Sequence, residues 1–220
     1  MSGLRQSKIL VTVPTGDGWI HRMVVKVLTA LAVDPRVTIE TPVGRPLEHN
    51  QAMIMQRVMS GGFDWWVSID ADNPPMKNPL ELTALDLDIV GCPTPIWHNN
   101  DVKAGEFPIY WNALVEDGSG YRQLPMARRA GLQQVDAVGG GCWAVSRRVL
   151  EALIDEAPFQ RIWNADGTVE FGNDFAFCRR AKAKGFKVWA HFDYPCEHIL
   201  TIGGIELLQA IERAWPAEGD

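Results

Sequence analysis

The chain has 220 residues and a mass of 24.5 kDa, with 46% hydrophobic and 22% charged residues; this is globular make-up, and it excludes disorder, a collagen-like fibre and a disulfide miniprotein. A formal net charge of -6 and a sequence pI near 5.4 leave no global field to attract nucleic acid or an anionic membrane, so any such contact needs a local basic patch. No run of about 18 apolar residues is present to span a bilayer, and Met1 to Gln6 lack the apolar stretch of a secretory signal, so a cytoplasmic protein is expected.

In chain order, residues 8–13 form a short apolar run that ends in Pro14-Thr15-Gly16-Asp17-Gly18, a buried strand followed by a turn. Residues 19–32 suit a helix and 37–40 a second strand. Over 46–60, Leu47, Ile54, Met55, Val58 and Met59 share one helical face, and Gly61-Gly62 stops the helix. Residues 63–70 are a third strand that Pro74-Pro75 forbids from continuing, and 87–92 a fourth, closed by Pro93. The tract 95–129 is turn-rich, with an extended piece near 108–114 and a turn at Asp117-Gly118. Residues 135–138 lead into Gly139-Gly140-Gly141, and 146–156 read as a helix capped by Ser146. Another helix over 174–184 is closed by Gly185, a strand follows over 186–192, and Leu207, Leu208, Ile211 and Trp215 give a last helix an apolar face. This alternation predicts an α/β fold with a largely parallel sheet, in which ligands bind outside the carboxyl ends of the strands.

The chemistry-bearing residues fall at such ends. Asp70-Ala71-Asp72 closes the strand Trp65-Trp66-Val67-Ser68-Ile69, and two carboxylates one residue apart supply the hard oxygen ligands that suit Mg²⁺ or Mn²⁺ carrying a phosphate. Asp174, in Gly172-Asn173-Asp174, stands at a helix start, where it can stabilise the helix or serve as a general base. Cys196-Glu197-His198 follows the strand over 186–192. Cys92, Cys142, Cys178 and Cys196 are scattered without a Cys-x-x-Cys pair and read as buried free thiols rather than a disulfide pair or a zinc cluster.

Together these segments resemble a glycosyltransferase of the GT-A fold, closest to the broad family 2 type. The resemblance runs from Lys8 to about His198. It is carried by Pro14-Thr15-Gly16, His49-Asn50, Ser68-Ile69-Asp70-Ala71-Asp72, the segment Gly139 to Arg148, Asn173-Asp174 followed by Phe177-Cys178-Arg179-Arg180 and Gly185, and His198. It implies a single Rossmann-like domain over 1–220, with a nucleotide-binding part at about 8–92, an acceptor-side and catalytic part at about 93–200, and a terminal helix at about 204–216. The implied activity is transfer of a sugar from a nucleoside-diphosphate sugar, UDP-sugar favoured, to an acceptor hydroxyl. Pro14, Thr15, Gly16, Glu40 and Asn50 would hold the nucleotide. Asp70, facing the ribose and metal side, would with Asp72 and His198 hold Mn²⁺ or Mg²⁺. Asp174 would take the acceptor proton in an inverting attack. Gly140 and Gly141 would present amides to the donor sugar or acceptor. Two departures stand out: Asn173-Asp174 replaces a common Glu-Asp, and His49-Asn50 a common Arg-Asn, which leaves Arg45 or Arg57 to meet the phosphates.

The acceptor contacts are expected from the 95–129 tract, at Trp97, His98 and Trp111. A saccharide is one acceptor class and a hydroxymethylated base in phage DNA another, with Arg122, Arg128, Arg129, Arg147 and Arg148 as the possible phosphate contacts. Oligomeric state is not legible. Two other readings compete. A phosphatase of the haloacid dehalogenase type would use Asp70 as nucleophile, but its first Asp normally lies near the chain start and precedes Gly and Thr, whereas Asn73-Pro74 follows Asp72. A non-catalytic nucleotide- or carbohydrate-binding module would keep the metal but need no base.

Overall fold

The computed structural model describes residues 6–96, 101, 104–105, 110–118, 120–199 and 203–215. The first half runs β1 (Ile9–Thr12), α1 (Arg22–Leu31), β2 (Val37–Glu40), α2 (Leu47–Gly61), β3 (Trp65–Ile69), a 3₁₀ segment (Pro79–Leu85), β4 (Ile89–Gly91) and β5 (Pro95–Ile96). The short strands β6 (Tyr110–Trp111), β7 (Ala113–Glu116), β8 (Tyr121–Gln123), β9 (Leu132–Val135) and β10 (Ala137–Val138) follow. The chain then passes through β11 (Cys142–Ser146), α3 (Arg147–Leu153), β12 (Ile162–Trp163), β13 (Val169–Phe171), α4 (Asn173–Ala183), β14 (Val188–His191) and α5 (Gly204–Ala214).

Seven strands form the central sheet in the order β2-β1-β3-β11-β4-β14-β9. Five of them point the same way. The exceptions are β11, which lies antiparallel between β3 and β4, and β9, antiparallel at the edge. Strands buried on both faces need apolar residues at every position, and Ile9, Leu10 and Val11 in β1 and Trp66, Val67 and Ile69 in β3 are fully buried. On one face the sheet packs against α1 through Val24, Leu28 and Leu31. On the other, Trp66, Trp143, Phe159 and Phe177 form an aromatic core in which Phe159 and Phe177 stack at 4.5 Å. The indole of Trp66 donates to Thr12 Oγ1 at 2.8 Å, which satisfies its one polar atom inside that core.

Several expectations change here. Residues 142–146, to which the sequence assigned no element, form a strand. The lead-in over 135–138 falls in two strands: β9 joins the central sheet, while β10 joins the hairpin of β7 and β8 that turns at Asp117-Gly118, with Gly118 at φ +84°. Ser146 does precede α3, but its hydroxyl makes no capping bond and is buried without a partner. The first helix starts at Arg22, capped by His21 Nδ1, so Trp19 falls in the preceding loop. Helix α2 runs into Gly61, and Gly62 is the left-handed cap at φ +64°. On the last helix and its end, Ile205, Leu208 and Trp215 are exposed and Ala210 is buried. No helix among the described residues is long and apolar enough to cross a membrane.

Candidate active site

The carboxyl ends of β1 and β3 open into a cleft of about 740 Å³. Pro14, Thr15 and Gly16 form one wall, Asp70 and Asp72 another, and Arg45 a third. The cleft also takes in Trp19 and Arg161, which the sequence did not single out. Trp19 is 56% exposed, unusual for an indole. Arg161 is held at the rim by Glu48 at 2.5 Å. The sequence left Arg45 and Arg57 undecided, and the structure separates them. Arg57 pairs with Glu40 at 2.6 Å and lies over the Phe63 ring, whereas Arg45 donates to the Gly16 carbonyl at 3.3 Å and borders the cleft.

Glu40 and Asn50 do not line this cleft. Glu40 is occupied by Arg57. Asn50 is buried, and its Nδ2 donates to the carbonyls of Thr15 and Gly44, both at 3.1 Å. It therefore clamps the two loops that form the cleft walls. The amides of Thr15 and Gly44 complete this brace through Pro42 and Thr15 carbonyls at 3.0 Å.

Three carboxyl groups approach one another at the sheet end. Loss of water raises the Asp70 carboxyl to about 8, and the charges of Asp72 and Asp174 push the same way. Asp174 sits in the first turn of α4, where Gly140 donates to Oδ2 at 3.1 Å and Phe175 to Oδ1 at 2.8 Å. Burial nevertheless pushes its carboxyl above the usual carboxylate range, with those donors working against the shift. Its neighbour Asn173 donates to Gln51 at 2.9 Å and so ties α4 to α2.

His198 reaches this region through the backbone. The segment Pro195 to Ile199 runs antiparallel to Asp72–Met76: Ile199 donates to the Asp72 carbonyl at 3.0 Å, Glu197 to Pro74 at 3.1 Å, and Asn73 Nδ2 to the Glu197 carbonyl at 3.1 Å. His198 Nδ1 is buried with no hydrogen-bond partner. An orphaned imidazole nitrogen, with the carboxylates of Asp70 and Asp72 at the head of the paired strip, is by its chemistry a donor set that fits Mn²⁺ or Mg²⁺. The ligand atoms of Asp70, Asp72 and His198 are not gathered within 4.8 Å of one another.

In the glycine segment, the Gly139 amide donates to the Asn112 carbonyl at 2.7 Å and the Gly140 amide to Asp174, so these two are engaged inside the protein rather than turned toward a ligand. The Gly141 carbonyl accepts from the Asp70 amide at 2.8 Å. On the acceptor side, Trp111 packs edge-on against Phe192 with ring centroids 5.9 Å apart, and Trp97 and His98 lie outside the described residues. Of the arginines, Arg122 pairs with Asp117, Arg147 with Glu151 and Arg148 with Asp88.

Among solved structures, the chain is similar to A197 from STIV, with 13% identity over 88% of this chain and 86% of that one and a TM-score of 0.59. The fold is GT-A-like. It is also similar to GalNAc-T7 with UDP, GalNAc and Mn²⁺, at 12% identity and a TM-score of 0.54, covering 90% of this chain but 44% of that one. UDP-glucose pyrophosphorylase complexed with UDP-glucose follows at 10% identity and a TM-score of 0.50, covering 95% and 97%. No protein-family model and no curated protein matches the sequence. At these identities the GT-A-like resemblance is one of architecture, and the chemistry must be argued from the residues.

Proposed function

We propose that this protein is a metal-dependent glycosyltransferase, resembling the family 2 type, that moves a sugar from a nucleoside-diphosphate sugar to an acceptor hydroxyl. The carrying observation is that Asp70 and Asp72 line the same cleft at the β1 and β3 ends as Pro14, Thr15, Gly16 and Arg45. That GalNAc-T7 holds UDP, GalNAc and Mn²⁺ on a similar fold supports a UDP-sugar donor.

In this reading the nucleotide lies against Pro14, Thr15 and Gly16, with the Trp19 indole as a stacking surface and Arg45 near the phosphates. Asp70, Asp72 and His198 would hold Mn²⁺ or Mg²⁺, and a bound ion would supply a Lewis acid for the charge that develops on the diphosphate. The acceptor oxygen attacks the anomeric carbon from the side opposite the diphosphate and inverts it. Its proton passes to the Asp174 carboxylate, which the Gly140 and Phe175 amides hold in place. The acceptor we propose is a saccharide hydroxyl: Arg122, Arg147 and Arg148 are each engaged by a neighbouring carboxylate, and the chain carries a net charge of -6, both of which disfavour a DNA acceptor.

A thermal-shift panel of nucleotide sugars, with and without Mn²⁺, tests the reading. One donor is expected to raise Tm only when metal is present, and D72N to lose that response. A panel with no metal-linked donor, or a phosphoryl group trapped on Asp70, would overturn it.

A further inference from the structure

Three of the four cysteines, remote from one another in sequence, come together at the carboxyl edge of the sheet. Cys142 opens β11, Cys92 follows the neighbouring β4, and the Cys92 amide donates to the Cys142 carbonyl at 2.8 Å. Cys196 arrives on the strip that pairs with Asp72–Met76, and its amide donates to the Pro93 carbonyl at 2.9 Å. All three side chains are buried, and their sulfurs lie within 4.8 Å of one another. The sequence reading of scattered thiols missed this because the meeting depends on the antiparallel insertion of β11.

Zinc–thiolate bonds of about 2.3 Å in a tetrahedron place sulfurs about 3.8 Å apart, so the triangle needs to close by no more than roughly 1 Å along an edge. A disulfide could link only two of the three and would leave the third thiol beside it. Soft sulfur donors select zinc over the hard cations that suit Asp70 and Asp72. A neighbouring imidazole is also short of a partner: His191 ends β14, whose Ala190 pairs with Gly91, and its Nδ1 is buried without a hydrogen bond.

We propose that Cys92, Cys142 and Cys196 form a structural zinc site, distinct from the carboxylate site. On binding, three thiols give up their protons to solvent and three sulfur–zinc bonds form, with no change of oxidation state. The ion would fasten the chain just before two functional segments. Cys142 adjoins Gly141, whose carbonyl fixes the Asp70 amide, and Cys196 precedes His198 by two positions. Zinc would thus set the floor on which the proposed catalytic groups stand, whatever reaction they perform.

Metal analysis of protein purified without chelator, followed by cobalt exchange, tests this. One zinc per chain is expected, and the cobalt form is expected to show the intense near-ultraviolet band of thiolate-to-cobalt charge transfer. Oxygen and imidazole ligands give no such band, so D72N should keep it while losing the metal-linked donor response. C92S, C142S and C196S should abolish the band. C178S should retain it, because Cys178 lies elsewhere with its thiol directed to the Val138 carbonyl at 3.6 Å. Should a serine variant fail to fold, the zinc content and cobalt spectrum of the parent decide alone. Parent protein that carries no zinc and gives no charge-transfer band would overturn the proposal, whether denatured chains titrate four free thiols or reveal a disulfide.

Discussion

The Gly140 amide donates to Oδ2 of Asp174 at 3.1 Å, which makes the glycine segment and the first turn of α4 one unit. The proposed base is therefore aimed by backbone rather than by a side chain. Asp174→Asn keeps the size of the group and removes its ability to accept a proton. It is expected to lower turnover by about 10²–10⁴-fold, the usual worth of a positioned base, while donor binding persists. Steady-state kinetics beside a donor titration would check this, and equal loss of both would remove Asp174 from the base role.

The three consecutive glycines differ in what they tolerate. A Cβ on Gly139 would sit 2.5 Å from Asn112 Nδ2, and Asn112 Oδ1 already accepts from the Thr94 amide at 2.8 Å. A Cβ on Gly140 would meet nothing closer than Asp174 Cβ at 3.7 Å. Gly139→Ala is expected to cost about 1–3 kcal/mol by overpacking, which for a chain this long lowers Tm by about 2–4 °C per kcal/mol. Gly140→Ala should fold as the parent does, so a loss of activity would report a disturbance at Asp174 or of the substrate rather than of folding. Melting curves and rates on the two variants separate these effects.

Much of this arrangement is legible in the chain, and the exceptions have physical causes. The strand over 63–70 could be read because every residue of β3 is buried and Pro74-Pro75 blocks its extension. The strand Cys142–Ser146 could not, since a short run buried on both faces has no alternation to reveal it. The carboxylates of Asp70 and Asp72 are visible as a pattern at a strand end. The influence of Asp174 on Asp70, and the backbone bond from Ile199 to Asp72 next to His198, depend on pairing between distant segments. The resemblance assigned Asn50 to the nucleotide, whereas its contacts show it clamping the Thr15 and Gly44 carbonyls.

Arg45 and Arg57 provide a paired test of the cleft. Arg45 borders it beside Gly16, and Arg57 is engaged by Glu40 away from it. A charge-assisted contact to a phosphate is worth about 1.5–3 kcal/mol, so Arg45→Ala should weaken donor binding about 10- to 100-fold. Arg57→Ala should leave donor affinity close to the parent value, because an exposed ion pair contributes only about 0–1 kcal/mol, and that to folding. Calorimetric titration with the donor found in the thermal-shift panel would show whether the two variants diverge. Equal affinities would take Arg45 out of the phosphate site.

Asp70 makes the metal-free protein sensitive to alkali. Its carboxyl ionises at about 8, against 3.8 for an ordinary aspartate. Below 3.8 both the folded and the unfolded chain hold the proton, and the stability due to the neutral form is complete. Between 3.8 and 8 the folded chain keeps a proton that the unfolded chain has lost, so stability declines as pH rises through this window and levels off above it. Asp174, raised by burial, adds a slope of the same sign. Asp70→Asn removes one of the two contributions, so its Tm should fall less steeply between pH 5 and 8.5 and exceed that of the parent at the alkaline end. A bound divalent cation favours the ionised carboxylate and should flatten the parent curve in the same way. Unfolding scans across that range, in chelator and in Mn²⁺, would reveal both effects; a parent protein whose stability rises with pH in chelator would refute the assignment of a desolvated acid at position 70.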